Sequence, residues 1–211
     1  MNKIKAVLFD MDGVLIDAKD WHYEALNKAL SLFGFIISRD EHLSSYDGLP
    51  TSTKLNKLTA EKGLPIKLHN FINEMKQQYT VDLIHKYCRP SFNHEYALSK
   101  LRAENYRLAC CSNSIRNTIE MMLRYARLDK YLEFIMSNQD VVKPKPDPEI
   151  YIKTISRMQL SPKECLILED NANGIKAALA SDAHLLVIHD VKEVTFENIK
   201  QRIKLIEEAA T

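Results

Sequence analysis

Apolar residues along this chain fall into short runs, separated by longer stretches in which they recur at helical spacing. The runs at residues 4–9, 106–111, 132–136, 165–168 and 185–188 are each a strand's length and rich in aliphatic and aromatic side chains. Each contains at least three consecutive apolar residues, as in 6–9 and 165–168, and consecutive rather than alternating apolar positions belong to strands buried on both faces, as in parallel sheets. Most are followed by a helical pattern, so the order predicts an α/β fold with a doubly wound, Rossmann-like parallel sheet. Helix starts are marked by their caps. Asp147-Pro148-Glu149 offers an N-cap followed by Pro at the first helical position. Ser161 with Glu164, and Ser38 with Glu41, have the spacing of a capping box.

The interval between the first two strands is far too long for one crossover. It carries helical patterns near residues 19–33, 39–46, 51–62 and 67–87, with Gly34 and Gly63 at C-cap positions. The expected organisation is a core of residues 1–17 and 88–211 with a helical cap, residues 18–87, inserted after the first strand. An insertion at that point is placed to act as a lid.

Composition narrows the function. With 211 residues and 45% hydrophobic content the chain can bury a substantial core. The 29 basic and 28 acidic residues nearly cancel, and no block of like charge stands out, so neither nucleic acid nor a membrane surface is an expected partner. No apolar run has the length of a membrane span, and the N-terminal run is too short for a signal peptide. The four cysteines, Cys88, Cys110, Cys111 and Cys165, lack metal-ligand spacing, and three lie in or beside apolar runs. They read as free thiols of a reducing, cytoplasmic compartment. A monomer is the expected state.

Candidate chemistry gathers where strands end. Asp10-Met11-Asp12-Gly13-Val14 follows the first run, with Gly13 free to turn sharply. Carboxylates there can serve as nucleophile, general acid/base or metal ligand. A calcium loop starting at Asp10 fails, because positions 5, 6 and 12 fall on Val14, Leu15 and Trp21. Cys110-Cys111-Ser112-Asn113-Ser114 closes a strand and opens a helix, which suits an anion, or else a simple cap. Val141-Val142-Lys143-Pro144-Lys145-Pro146-Asp147 is a proline-stiffened loop carrying lysines, suited to phosphate or merely solvated. Glu169-Asp170 closes a fourth strand with oxygen donors suited to Mg²⁺, or with helix-capping acids. Four such signals at the carboxyl ends of parallel strands can converge on one crevice.

With these four motifs the chain resembles the haloacid dehalogenase-like superfamily over nearly its full length. Asp10-Met11-Asp12-Gly13-Val14 matches the first motif, Ser112-Asn113 the second, Lys143 in Lys-Pro-x-Pro-Asp the third and Glu169-Asp170 the fourth. The helical insertion resembles the family's four-helix cap, and the branch is that of beta-phosphoglucomutase and phosphoglycolate phosphatase. The resemblance implies Mg²⁺-dependent hydrolysis of a small phosphate monoester, a sugar or related metabolite phosphate, through an aspartyl-phosphate. It implies Asp10 as nucleophile, Asp12 as general acid/base, Ser112 and Lys143 as phosphate-holding groups, and Asp10, Asp12 (through its carbonyl), Glu169 and Asp170 around the metal. Asn113, His22 and Lys76 are implied substrate contacts. A helix-surface histidine and a solvated lysine are the competing readings of His22 and Lys76, and solvent is the competing reading of Arg116 near the phosphate site.

The alternative is a sugar phosphomutase of the same fold. Against it, Tyr46-Asp47-Gly48-Leu49-Pro50-Thr51, at the cap's specificity loop, lacks the mutase's basic residues. The cap exit also departs from the pattern, with Pro90-Ser91 where relatives often have Pro-Gly. A binding protein with a dormant site is a third reading, opposed by the intact motif set. Dehalogenase chemistry is disfavoured because Asp12, the acid two residues after the nucleophile, marks phosphoryl-transfer members.

Overall fold

The computed structural model describes residues 3–209. Its parallel sheet has five strands among the described residues: β1 (Ala6–Phe9), β2 (Arg107–Cys111), β3 (Phe134–Met136), β4 (Cys165–Glu169) and β5 (His184–Val187). Their order is β3-β2-β1-β4-β5. Each lies within one of the five apolar runs or reaches a residue beyond it. The central strand is fully buried because its neighbours cover both edges, with Phe9 level with Cys110 on one side and Leu168 on the other. Strand order reverses between β1 and β4, and the crevice beyond the carboxyl ends there is where open α/β sheets bind ligands.

The helices are α1 (Lys19–Ser31), the single turn α2 (Arg39–Glu41), α3 (Thr51–Lys62), α4 (His69–Tyr87), α5 (Phe92–Ala103), α6 (Arg116–Tyr125), α7 (Glu149–Arg157), α8 (Ala172–Ala180) and α9 (Phe196–Ala209). The caps explain several starts. Ser38 and Glu41 bond reciprocally, Ser38 N–H to the carboxylate at 2.8 Å and Glu41 N–H to the hydroxyl at 3.1 Å. The Asp147 carboxylate accepts the Glu149 N–H at 3.0 Å and so opens α7. Gly63 closes α3 in the left-handed conformation at φ 70°, as a C-cap glycine should. No described helix is long and apolar enough to cross a membrane.

The chain divides into two compact units, residues 1–17 with 89–211, and residues 18–88. In the first, one face of the sheet packs Ala6, Leu8, Cys111 and Ile167 against Tyr151 of α7 and Ala177 of α8. Side chains alternate across a strand, and the opposite set, Val7, Phe9, Leu108, Cys110, Leu166 and Leu168, is equally buried. Helices α5 and α9 pack on each other and reach β2 and β5 respectively. The second unit is all-helical, built on the α1–α4 pair, with Leu26, Leu30, Leu55, Leu58 and Ile72 in its own core. Such aliphatic burial stabilises by about 1.5–3 kcal/mol per side chain, which lets a strand-end site be held rigidly.

Candidate active site

The first acidic motif leaves β1 at Asp10, whose N–H continues the ladder to the Leu168 carbonyl at 3.0 Å. The chain then turns back at Gly13, with φ +91°, a conformation that favours glycine. The N–H groups of Val14, Leu15 and Ile16 gather on the Met11 carbonyl and fix the turn. Asp10 is thereby held at the end of the central strand, only 8% exposed. Asp12 is half-buried and accepts a hydrogen bond from the Ser114 hydroxyl at 3.2 Å.

The second motif lies beside it. Ser112 is buried at the end of β2, and its Oγ accepts the Ser114 N–H at 3.0 Å. This tight turn precedes α6, which begins without a side-chain cap, so capping does not account for Ser112. Asn113 clamps the third motif: its amide donates to the Lys145 carbonyl and accepts the Lys145 N–H, both at 3.1 Å.

That clamp fixes the backbone of Lys145 beside Asn113. Lys145 is 3% exposed, and its ammonium donates to Asp10 Oδ1 at 2.6 Å, Glu169 Oε1 at 2.6 Å and the Cys111 carbonyl at 2.7 Å. Lys143, expected in this position, is exposed. Its N–H bonds to the Glu149 carboxylate at 2.8 Å, which ties its backbone to the start of α7. The structure thus brings Lys145, in the register Lys145-Pro146-Asp147-Pro148-Glu149, to the acidic cluster and leaves the expected Lys143 outside it.

Glu169 ends β4 fully buried. Its Oε1 also accepts the Tyr151 hydroxyl, and the Asp170 N–H reaches Oε2 at 3.3 Å. Both carboxylate oxygens of Asp170 are shielded from solvent. Asp10, Glu169 and Asp170 each offer an oxygen within 4.8 Å of the others. Such a set of hard oxygen donors fits a divalent cation. The charge balance fits too, because four carboxylates, Asp10, Asp12, Glu169 and Asp170, gather around the Lys145 ammonium.

The same imbalance sets the protonation preferences of the site. Burial, then the Glu169 charge, pushes the Asp10 carboxyl well above the usual carboxylate range; Lys145 offsets part of this, and Asp170 and Asp12 add to it. Burial alone would lower the Lys145 ammonium, yet the charges of Asp10 and Glu169 raise it, so it stays protonated. The Tyr151 phenol is pushed up by burial and by Glu169, which keeps it a donor.

The remaining candidates fall elsewhere. Arg116 is engaged by Asp140, at 2.7 Å, rather than pointing freely into solvent. In the helical unit, His22 of α1 and Lys76 of α4 meet, the ammonium donating to His22 Nδ1 at 3.2 Å. Lys76 is buried, which excludes the solvated-lysine reading. Lys54, buried in α3, was not legible as more than a helix-surface cation. Tyr151 was hidden for a related reason: on the apolar face of α7 it reads as an ordinary core aromatic.

Residues 7–188 match the family model of haloacid dehalogenase-like hydrolases, and the chain belongs to that family. Among curated relatives, it is 27% identical to the phosphorylated carbohydrates phosphatase of Thermotoga maritima, over 90% of this chain and 88% of the relative. It is 26% identical to the phosphoglycolate phosphatase of Nitrosospira multiformis, over 88% and 83% of the two chains. In fold it is similar to a beta-phosphoglucomutase from Clostridium difficile, with TM-score 0.85, 23% identity and coverage of 99% and 100%.

Proposed function

We propose that this protein hydrolyses a small phosphate monoester, a sugar phosphate or related metabolite, with Mg²⁺ as cofactor. The observation that carries the reading is the Lys145 ammonium joining the Asp10 and Glu169 carboxylates at the β1/β4 switch point, with Asp12 close by on Ser114. The phosphatase names of the relatives support it.

In this reading the Asp10 carboxylate attacks phosphorus in line, the bond to the leaving oxygen breaks, and an aspartyl-phosphate forms. Asp12 delivers its proton to the leaving oxygen, then takes one from the water that attacks the intermediate, releasing inorganic phosphate and restoring Asp10. Ser112, whose Oγ is already an acceptor for the Ser114 N–H, keeps its hydroxyl proton for a phosphate oxygen. Lys145 holds Asp10 and compensates charge on the transferring group. Asp10 and Asp170, with the Asp12 carbonyl and support from Glu169, would hold Mg²⁺, which when bound offsets the excess of carboxylate charge. The helical unit, inserted in sequence between β1 and α5, is the part we assign to substrate selection.

A sugar phosphomutase is the second reading. The specificity loop offers Asp47 and no cation, yet Lys54 and Lys76 place buried ammonium groups elsewhere in the helical unit, which favours grip on a second phosphate. Incubation with β-glucose 1-phosphate, Mg²⁺ and a trace of bisphosphate separates the two. Hydrolysis gives inorganic phosphate as the main product. Efficient conversion to glucose 6-phosphate with little free phosphate gives the mutase instead.

A further inference from the structure

Three carboxylates lie close enough to share one cation, but their surroundings differ. Glu169 is already occupied: Oε1 takes hydrogen bonds from Lys145 and from the Tyr151 hydroxyl, and Oε2 faces the Asp170 N–H. Tyr151 comes from the core face of α7, is fully buried, and sets its ring 4.9 Å from the Lys145 ammonium. The carboxylate also lies in a notch in α8. A Cβ at Gly174 would come within 2.0 Å of the Glu169 carboxyl carbon, so only glycine leaves room for it. Glycine is otherwise a poor helix former, so its place inside α8 goes with the seating of Glu169.

We propose that Tyr151 is a positioning residue of the active site: its hydroxyl, acting with the Gly174 notch, fixes Glu169 on Lys145 and keeps it out of the cation's direct coordination. The division of labour rests on the phosphatase reading above. Glu169 serves as the counter-charge of the ammonium, while Asp10 and Asp170 face the cation. Removing the phenolic proton frees Glu169 to turn toward the cation and loosens Lys145 on Asp10. Mg²⁺ then binds more tightly while turnover slows. A residue that merely filled the core would not produce that pair of opposite changes.

The test uses the full chain and two substitutions, Tyr151→Phe and Gly174→Ala, each checked for folding by thermal melting. Tyr151→Phe keeps the ring and deletes the hydroxyl. Gly174→Ala pushes on the carboxylate without touching the phenol, and is otherwise favourable to the helix. Mg²⁺ alone is titrated by calorimetry, and kcat and KM are measured on a phosphate monoester. Each variant should lose about tenfold in kcat and, against the usual loss of affinity when an outer partner of a metal site is removed, bind Mg²⁺ about tenfold more tightly. KM for the ester should stay close to wild type. Unchanged or weaker Mg²⁺ binding in a folded variant overturns the proposal, as does unchanged kcat. If Tyr151→Phe does not fold, Gly174→Ala carries the same two outcomes. Absence of phosphate release by the wild type would defeat the phosphatase reading alone, because the calorimetric comparison still reads Glu169.

Discussion

Lys145 commits its ammonium to three oxygens, those of Asp10, Glu169 and the Cys111 carbonyl. No sequence pattern could choose it over Lys143, since residues 143–147 and 145–149 both read Lys-Pro-x-Pro-acid. The choice is made by contacts distant in sequence, chiefly the two hydrogen bonds between the Asn113 amide and the backbone of residue 145. Asp10, Asp12, Ser112, Glu169 and Asp170 were legible because each sits at or just beyond the end of an apolar run, and strand ends of a parallel sheet converge. Tyr151 was not, because its function resides in one hydroxyl on an otherwise apolar helix face. Lys145→Ala is expected to lower kcat by about 10²–10³, the loss seen for other preorganised electrostatic groups. Lys143→Ala should leave kcat near wild type. Steady-state kinetics of the two variants check the register, and the reverse order would restore Lys143.

At the scale of elements, the strands were the most readable feature, since each carries three or more consecutive apolar residues, a pattern that neither an amphipathic helix nor a half-exposed strand sustains. Helix α5 was harder, because its buried stripe includes His94 and Ala97 beside Leu98 and Leu101. The turn His42–Tyr46 that continues α2 carries a buried group with a consequence for stability. His42 is 2% exposed, and burial, then the nearby Lys54 charge, lowers its imidazole to about 4, while Asp47 partly opposes the shift. The folded-state pKa thus lies below the unfolded value of about 6.5. Above that value His42 is neutral in both states and costs nothing. As pH falls from about 6.5 toward 4, the unfolded chain takes a proton that the folded chain refuses, and stability drops. The loss between pH 7 and pH 5 should reach up to about 2 kcal/mol. Urea melts of the wild type and His42→Leu at both pH values check this, with the variant showing the shallower dependence. Equal pH dependence would remove His42 from that role. A core substitution gives a second element-scale outcome: Leu8→Ala, at a position with no exposure in the central strand, should cost about 2–5 kcal/mol in the same melts.

For the whole molecule, family membership was readable from four short motifs in order, because the fold brings strand ends together from across the chain. The substrate was not, because the selection proposed for the helical unit would rest on side-chain placement, for which sequence spacing gives no distances. The buried Lys54 and the Lys76–His22 pair are examples. The charge balance of the site does carry a molecule-wide expectation. Four carboxylates against one ammonium repel a phosphate dianion, so activity should vanish with EDTA and return with Mg²⁺. Ca²⁺ should support it poorly, since its larger and more flexible coordination shell disturbs in-line geometry. Undiminished turnover after chelation would contradict the cation's role.

Phosphate release from a panel of sugar phosphates, polyol phosphates, nucleotides and phosphoglycolate, run with Mg²⁺ on the wild type beside Asp10→Asn, bears most directly on the proposed chemistry. The wild type should release inorganic phosphate from at least one ester. A folded Asp10→Asn protein, lacking the carboxylate proposed as nucleophile at the end of β1, should release none above background. Near-wild-type release by Asp10→Asn, or no release by the wild type from any ester, would contradict hydrolysis through Asp10.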